Sequence, residues 1–218
     1  MKGKHAVRSI YRRLRAVNAL ATPLAFVDQL LRPQGFLRES GWLDSYRRQV
    51  PMSRNGPLPW FTYSAIAFLE PRLGPEWSVF EYGAGFSTLW WAARVASVVS
   101  CENDRAWLSR MQEQRPSNVE LIYEARGPGY WGKAAAFSSD IIVIDGRDRV
   151  ECAKACLDGL RPGGVIVWDN SDRSRYQEGY EHLGRAGFRR LDFAGPGPVN
   201  FTPWMTSVFY RSENCLGI

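Results

Sequence analysis

Two groups of residues in this chain have the types and spacing that do chemistry. The first is Val79-Phe80-Glu81-Tyr82-Gly83-Ala84-Gly85-Phe86-Ser87-Thr88, with Leu89 to Ala93 behind it. An apolar run, an acid, two glycines around Ala84 and a Ser/Thr pair opening a helix-like segment spell strand, tight turn and helix, the form of a nucleotide cradle. Glycine belongs where the backbone turns sharply or lies against a ligand, because a Cβ would clash there. The next strand-like run, Val98 to Cys101, ends in Glu102. An acid at that distance from the glycines is placed to hold a ribose diol, two carboxylate oxygens for two vicinal hydroxyls. The second group is Asp145, Asp169 and Asn170, each following a strand-like run. Two carboxylates and an amide oxygen suit a hard cation such as Mg²⁺, which keeps its other positions for water or substrate. Asp-Asn after a strand is also ordinary turn chemistry, and Asp145 before Gly146 can serve the turn or the nucleotide, so both readings stay open on the residues alone.

Such residues need strands that end side by side. After the cradle, Asp104 to Gln114 reads as helix, Val119 to Tyr123 as a third strand ending at Glu124, and Gly127 to Gly132 as a loop carrying Tyr130 and Trp131. Those two rings can stack on adenine or line the mouth of a substrate site. Asp140-Ile141-Ile142-Val143-Ile144-Asp145 is a nearly continuous apolar strand, the pattern of a parallel strand buried on both faces. Asp148 is placed to cap the next helix, in which Val150, Ala153, Leu157 and Leu160 recur at helical spacing. Arg161-Pro162-Gly163-Gly164 turns the chain into a fifth strand, Val165 to Trp168, and a helix over Tyr176 to Ala186 follows. Two strand-like segments, Arg189 to Phe193 and Thr206 to Tyr210, close the chain with no helix between them. Alternating strands and helices closed in this way predict an α/β fold whose parallel sheet ends in an antiparallel hairpin.

Thr88 stands where a dinucleotide fingerprint has its third small residue, which counts against NAD. With Glu81 two residues before the first glycine, Glu81-x-Gly83-x-Gly85 resembles motif I of the Rossmann-like, class I S-adenosylmethionine-dependent methyltransferases. The resemblance covers about residues 60 to 211. It implies a doubly wound, seven-stranded, mostly parallel sheet, with S-adenosylmethionine as cofactor. It also implies roles: Gly83, Ala84 and Gly85 against the cofactor, Glu81 and Ser87 at its amino-acid end, Glu102 on the ribose. Glu124 would accept from the adenine amino group, or is simply a surface acid. The Asp145, Asp169-Asn170 trio is similar to the metal motif of catechol-type and of sugar- and polyketide-modifying O-methyltransferases, in which the ion grips vicinal acceptor oxygens. That likeness implies Mg²⁺, a small-molecule or glycan hydroxyl as acceptor, and Asp145 as metal ligand or base. The catechol-type enzymes carry a lysine base three residues after the first metal acid, and here that position is Asp148. Two rivals remain, an NAD(P)-linked oxidoreductase on a related fold and a noncatalytic S-adenosylmethionine-binding protein that recruits partners through its amino terminus.

At 218 residues and 45% apolar content, the chain fits one α/β domain over 60–218 with an amino-terminal helix, connector and lid over 1–59. The formal charge is +6, and Lys2, Lys4, Arg8, Arg12, Arg13 and Arg15 all precede the first acid, Asp28. The excess is therefore local, which disfavours nucleic acid as substrate. Residues 1 to 31 read as a basic amphipathic helix, which can lie on an anionic membrane surface through residues 1–20 or keep a solvated basic face. The basic stretch is too long, and its apolar part too interrupted, for a secretory signal, so a cytoplasmic protein is expected, with peripheral membrane contact as the variant. Pro33 to Pro59 is a loop-rich connector with one short helix around Leu43 to Val50. Trp60 to Ser64 either covers the sheet edge or forms a lid, ahead of a helix over Ala65 to Glu70. Cys101, Cys152, Cys156 and Cys215 lack disulfide or zinc spacing and read as reduced thiols.

Overall fold

A computed structural model describes residues 21–218. The first twenty residues of the expected helix over 1–31, and with them the membrane contact, lie outside the described residues; the rest of it, from Ala21 to Leu31, is helical. In chain order the amino-terminal part contains α1 (Ala21–Leu31), α2 (Phe36–Glu39), α3 (Trp42–Arg48) and a two-residue hairpin of β1 (Met52–Ser53) and β2 (Gly56–Pro57). The connector thus holds two short helices rather than one. Gly41 makes the tight entry to α3 at φ +79°, where a Cβ would stand 2.6 Å from that of Ser53. The aromatic residue buried in this segment, Trp42, is held from outside it. Its Nε1 donates to the Asn200 carbonyl at 3.0 Å, and its ring meets Phe201 edge-on. Residues 36–59 therefore pack on the sheet domain and do not enclose a core of their own.

The remainder is α4 (Tyr63–Leu69), β3 (Ser78–Tyr82), α5 (Phe86–Ala92), β4 (Ser97–Glu102), α6 (Arg105–Gln112), β5 (Val119–Tyr123), α7 (Pro128–Trp131), β6 (Ser139–Ile144), α8 (Arg149–Ala155), β7 (Leu160–Asp169), α9 (Gln177–Arg185), β8 (Arg189–Gly195) and β9 (Trp204–Tyr210). Seven strands form one sheet in the order β5-β4-β3-β6-β7-β9-β8; the first five run parallel and β9 pairs antiparallel with both β7 and β8. The expected Rossmann-like, seven-stranded layout is the one observed.

Alternation along the central strands accounts for the two-sided core. Val79, Ile141, Val143, Val165 and Val167 pack on one face with Trp90 and Trp91 of α5, while Phe80, Tyr82, Ile142, Ile144, Ile166 and Trp168 pack on the other. Ile141 to Ile144 are fully buried, each worth about 1.5–3 kcal/mol of transfer free energy. The strand β7 begins at Leu160, five residues before the expected start, because Arg161 to Gly164 run on along the sheet past a register shift against β6. Among the described residues no helix is long and apolar enough to cross a membrane.

Candidate functional site

Chain order reverses direction across the sheet between β3 and β6, since β4 and β5 lie on one side of β3 and β6 on the other. Ligands of open α/β sheets bind beyond the carboxyl ends of strands at such a switch point. The turns leaving β3 and β6 are locked together there. Gly83, at φ +96°, donates its N–H to the Cys101 carbonyl at 2.8 Å, and a Cβ on it would lie 3.3 Å from the Gly146 Cα. At Gly146 a Cβ would come within 2.1 Å of the Tyr130 hydroxyl. Gly85 is extended, at φ 178°, and an added Cβ meets nothing within 4 Å, so its glycine leaves room beside the backbone.

That room belongs to a cavity of about 680 Å³ walled by Glu81, Gly83 to Ser87, Glu102 and Asp145. Five predicted cofactor residues before Glu102 and Glu102 itself therefore meet in one space. Glu81 is buried in the middle of the wall. Its Oε2 accepts from the Thr88 hydroxyl at 2.5 Å and the Ser100 hydroxyl at 3.0 Å, and Oε1 is buried without a partner. Burial raises its carboxyl to about 7, against the pull of the neighbouring hydroxyls. Thr88 also accepts from the Gly85 N–H at 2.9 Å, so the residue that departs from the dinucleotide pattern ties the glycine turn to the acid. Glu102 takes the Ala84 N–H on Oε2 at 3.1 Å and the Asn103 and Asp104 N–H groups on Oε1 at 2.7 and 2.8 Å. Of the roughly four lone-pair directions a carboxylate offers, one on Oε2 is left for a ligand.

An unpartnered buried acid, a glycine with space beside it and a second acid on the next strand fit an amino-acid-bearing nucleoside such as S-adenosylmethionine. Other wall residues, Trp60 apart, were not singled out by the sequence. Trp107 donates Nε1 to the Ala84 carbonyl at 2.6 Å, with Asp104 capping its helix, and Gln49 to Pro51 and Trp60 close the opposite side. The segment Trp60 to Ser64 divides its roles. Trp60 borders the cavity, Phe61 is fully buried against Trp91, and Thr62 caps α4 by accepting from the Ala65 N–H.

Glu124 is not brought to this cavity. It is not among the residues that wall the cavity, and its Oε2 pairs with Lys133 Nζ at 2.6 Å. Tyr130 is buried in the core against Tyr82, and Trp131 turns to Asp148, so neither ring borders the nucleoside space. Asp148 does not cap α8. It sits at φ +47°, in the left-handed region, and its carboxylate accepts from Arg126 and from Trp131 Nε1, contacts that hold its pKa below the ordinary aspartate value, the Arg126 hydrogen bond first.

The divalent-metal expectation needs the larger correction. Asp145 and Asn170 do converge, but on the guanidinium of Arg149. Its Nη2 donates to Asp145 Oδ1 and to the Asp145 carbonyl, both at 2.7 Å. Its Nη1 donates to the Asp169 carbonyl and, at 3.2 Å, to Asn170 Oδ1; Nε donates to the Gly146 carbonyl at 3.0 Å. All five donors of the fork are engaged. Asp169 aims Oδ1 elsewhere, at Trp204 Nε1 (2.9 Å) and the Thr206 hydroxyl (2.7 Å). A fixed cation already sits among these oxygens, and a second, divalent one beside it would be repelled. The trio does not fit Mg²⁺, and among the described residues no cluster of three His, Cys, Asp or Glu side chains could hold an ion. A sequence signal for this existed, an arginine four residues after Asp145 at the start of a helix.

The electrostatics of the pair follow from depth. Burial raises the Asp145 carboxyl above the usual range against the lowering charges of Arg149 and Arg173. Asp169 rises to about 7 through burial and the nearby Asp145 charge. Asp145 still borders the cavity, and its Oδ1 is the oxygen that pairs with Arg149.

No family model matches the sequence, and no curated protein does. Solved structures do match the fold. A precorrin-6y C5,15-methyltransferase from Geobacter metallireducens aligns over 77% of this chain and 96% of its own, at 14% identity and a TM-score of 0.56. An rRNA methylase from Streptococcus thermophilus aligns over 69% and 96%, at 17% identity and a TM-score of 0.51. A spermidine synthase from Thermotoga maritima aligns over 66% of this chain and 56% of its own, at 15% identity and a TM-score of 0.52, so the chain spans little more than half of that protein. The common property is the fold, and one fold carries several reactions. The chain has the Rossmann-like fold seen in S-adenosylmethionine-dependent methyltransferases.

Proposed function

We propose that the protein is an S-adenosylmethionine-dependent methyltransferase acting on a small-molecule or sugar hydroxyl, without a divalent ion. The observation that carries this reading is the buried, unpartnered Glu81 Oε1 on the wall of the cavity at the β3–β6 switch point. A buried carboxylate oxygen without a donor is costly, and a ligand ammonium relieves it. Thr88, bonded to Glu81 and to the glycine turn, leaves no small residue of the dinucleotide kind.

When bound, S-adenosylmethionine supplies an electrophilic sulfonium methyl. Glu81 receives the ammonium end, Glu102 uses its remaining Oε2 lone pair for a ribose hydroxyl, and Gly83 and Gly85 let the backbone close on the nucleoside. Asp145 would take up the proton that the acceptor hydroxyl gives up, while Arg149 keeps the carboxylate oriented. Trp60 and Gln49 to Pro51 exclude water from the reacting end.

Calorimetry with S-adenosylhomocysteine, set beside a thermal-shift comparison with NADH and NADPH, tests the assignment. Micromolar binding of the thioether nucleoside and no nicotinamide response is the expected result; the reverse pattern ends the methyl-transfer reading.

A further inference from the structure

A second cavity, of about 470 Å³, opens beside the first, and Gly146, Arg147 and Arg149 line both. Five arginines border it, at 126, 147, 149, 173 and 175, with two acids, Asp148 and Glu151. Arg126 is neutralised by Asp148, Arg149 by Asp145, and Glu151 by Lys154. Among the described residues Arg147, Arg173 and Arg175 have no carboxylate within ion-pair distance. Three guanidinium groups gathered at one cavity repel one another until an anion lies between them.

The floor carries the same sign. The hydroxyl of buried Tyr176 accepts from Arg175 Nη2 at 3.0 Å, with the Arg149 guanidinium 5.8 Å from its ring. Burial works to raise this phenol, yet the Arg175 hydrogen bond and the charges of Arg149 and Arg175 bring it below its ordinary value. Arg173 charge reaches Asp145 as well, so the positive field extends to the reacting side of the first cavity. The volume is that of a small-molecule site and is too small for a nucleic-acid groove.

We propose that this cavity is the acceptor site, in which Arg147, Arg173 and Arg175 hold a phosphate, sulfate or carboxylate group of a small polyol such as a sugar derivative. Guanidinium forks match the planar or tetrahedral oxygens of such groups, and Trp131 offers an apolar wall for the ring that carries them. The reaction assigned to this acceptor rests on the methyl-transfer reading; the anion site does not.

Glucose 6-phosphate, glucose 6-sulfate, glucuronate and uncharged glucose serve as probes in titration calorimetry at constant ionic strength. The anionic probes bind the wild-type protein and glucose does not, and the ranking among them identifies the anionic group. The Arg173→Gln/Arg175→Gln variant, whose positions lie on the surface and outside the first cavity, weakens the best probe about tenfold or more. The Arg173→Lys/Arg175→Lys variant recovers part of that loss, which separates lost charge from lost fold. Equal affinity for glucose and its phosphate, unchanged affinity in the glutamine variant, or binding of a short oligonucleotide but of no small anion overturns the proposal. Wild-type protein that binds the anionic probes but not S-adenosylhomocysteine supports the anion site and removes the methyl-transfer reading.

Discussion

Arg149 Nη2 stands 2.7 Å from Asp145 Oδ1, four residues earlier, and the same guanidinium reaches the carbonyls at the ends of β6 and β7. One side chain thus joins the two strand ends that carry the acids of the site. A cation supplied by the chain stands where a bound ion was expected.

Removing that fork leaves the half-buried Asp145 beside buried Asp169 without its ion-pair partner, with only the charge of Arg173 to offset it. Arg149→Met should cost about 3–5 kcal/mol, the range for breaking a buried pair from one side. Urea denaturation at neutral pH measures it. A loss under 1 kcal/mol would mean that the pair is solvated in solution.

The same geometry predicts indifference to metal. Dialysis against a chelator, then Mg²⁺ add-back, should leave both S-adenosylhomocysteine affinity and methyl transfer unchanged. Activity lost to the chelator and restored by Mg²⁺ would require Arg149 to swing out of the site.

The strands and the cradle were legible because each rests on short-range rules, whereas the sheet layout was implied by the family resemblance. An unbroken run of apolar residues, as in Ile141 to Ile144, and glycine at a tight turn, as at Gly83 with φ +96°, are written in the local sequence. The partners of long polar side chains were not. Glu124 had Lys133 nine residues on, and Asp148 had Arg126 and Trp131 across a loop, pairings that depend on how α7 packs on α8. Asp169 looks like a ligand in sequence because Trp204 and Thr206, which take its oxygen, arrive on an antiparallel strand from the end of the chain. Similarly, Asp145 and Asn170 advertise oxygens, and Arg149 reads as a solvated helix residue until β6 and β7 are laid side by side.

Glu81 links stability to function with opposite signs. Its carboxyl titrates near 7 in the folded chain and at the ordinary value of 4.5 when unfolded. Between those values the folded state holds a proton that the unfolded state has lost, so this group lowers stability as pH rises from 4.5 to 7. Glu81→Gln removes that penalty, on the order of 3 kcal/mol above pH 7. The variant should melt higher than wild type at pH 8, by a margin that shrinks as pH falls toward 4.5 and below, while losing S-adenosylhomocysteine. Wild-type affinity for that ligand should fall as pH drops below about 7, because a neutral Glu81 no longer pairs with the ammonium. Calorimetric affinity that is flat from pH 6 to pH 8 would remove Glu81 from the ligand.

Glu102 has both a backbone and a ligand task. Glu102→Ala frees the Ala84, Asn103 and Asp104 N–H groups and removes the ribose acceptor, and S-adenosylhomocysteine should bind about 1–3 kcal/mol more weakly. Adenine alone should be affected less than adenosine, since only adenosine has the diol. Equal losses for the two would show that Glu102 shapes the turn and does not touch the sugar.

Two glycines of the cradle separate packing from ligand approach. At Gly146 a methyl group would meet the Tyr130 hydroxyl at 2.1 Å and the Gly83 nitrogen at 3.0 Å, atoms held by the core and by a neighbouring turn. Gly146→Ala should therefore destabilise the fold by about 1–3 kcal/mol or more, the cost of overpacking. At Gly85 the backbone is extended and the space is open, so Gly85→Ala should leave the melting temperature within a degree or two of wild type, an effect of a few tenths of a kcal/mol. Its methyl group takes room on the cavity wall, and nucleoside affinity should drop while stability holds. Paired thermal melts and calorimetry decide the matter: if Gly85→Ala binds S-adenosylhomocysteine as tightly as wild type does, the glycine turn is not where the ligand lies.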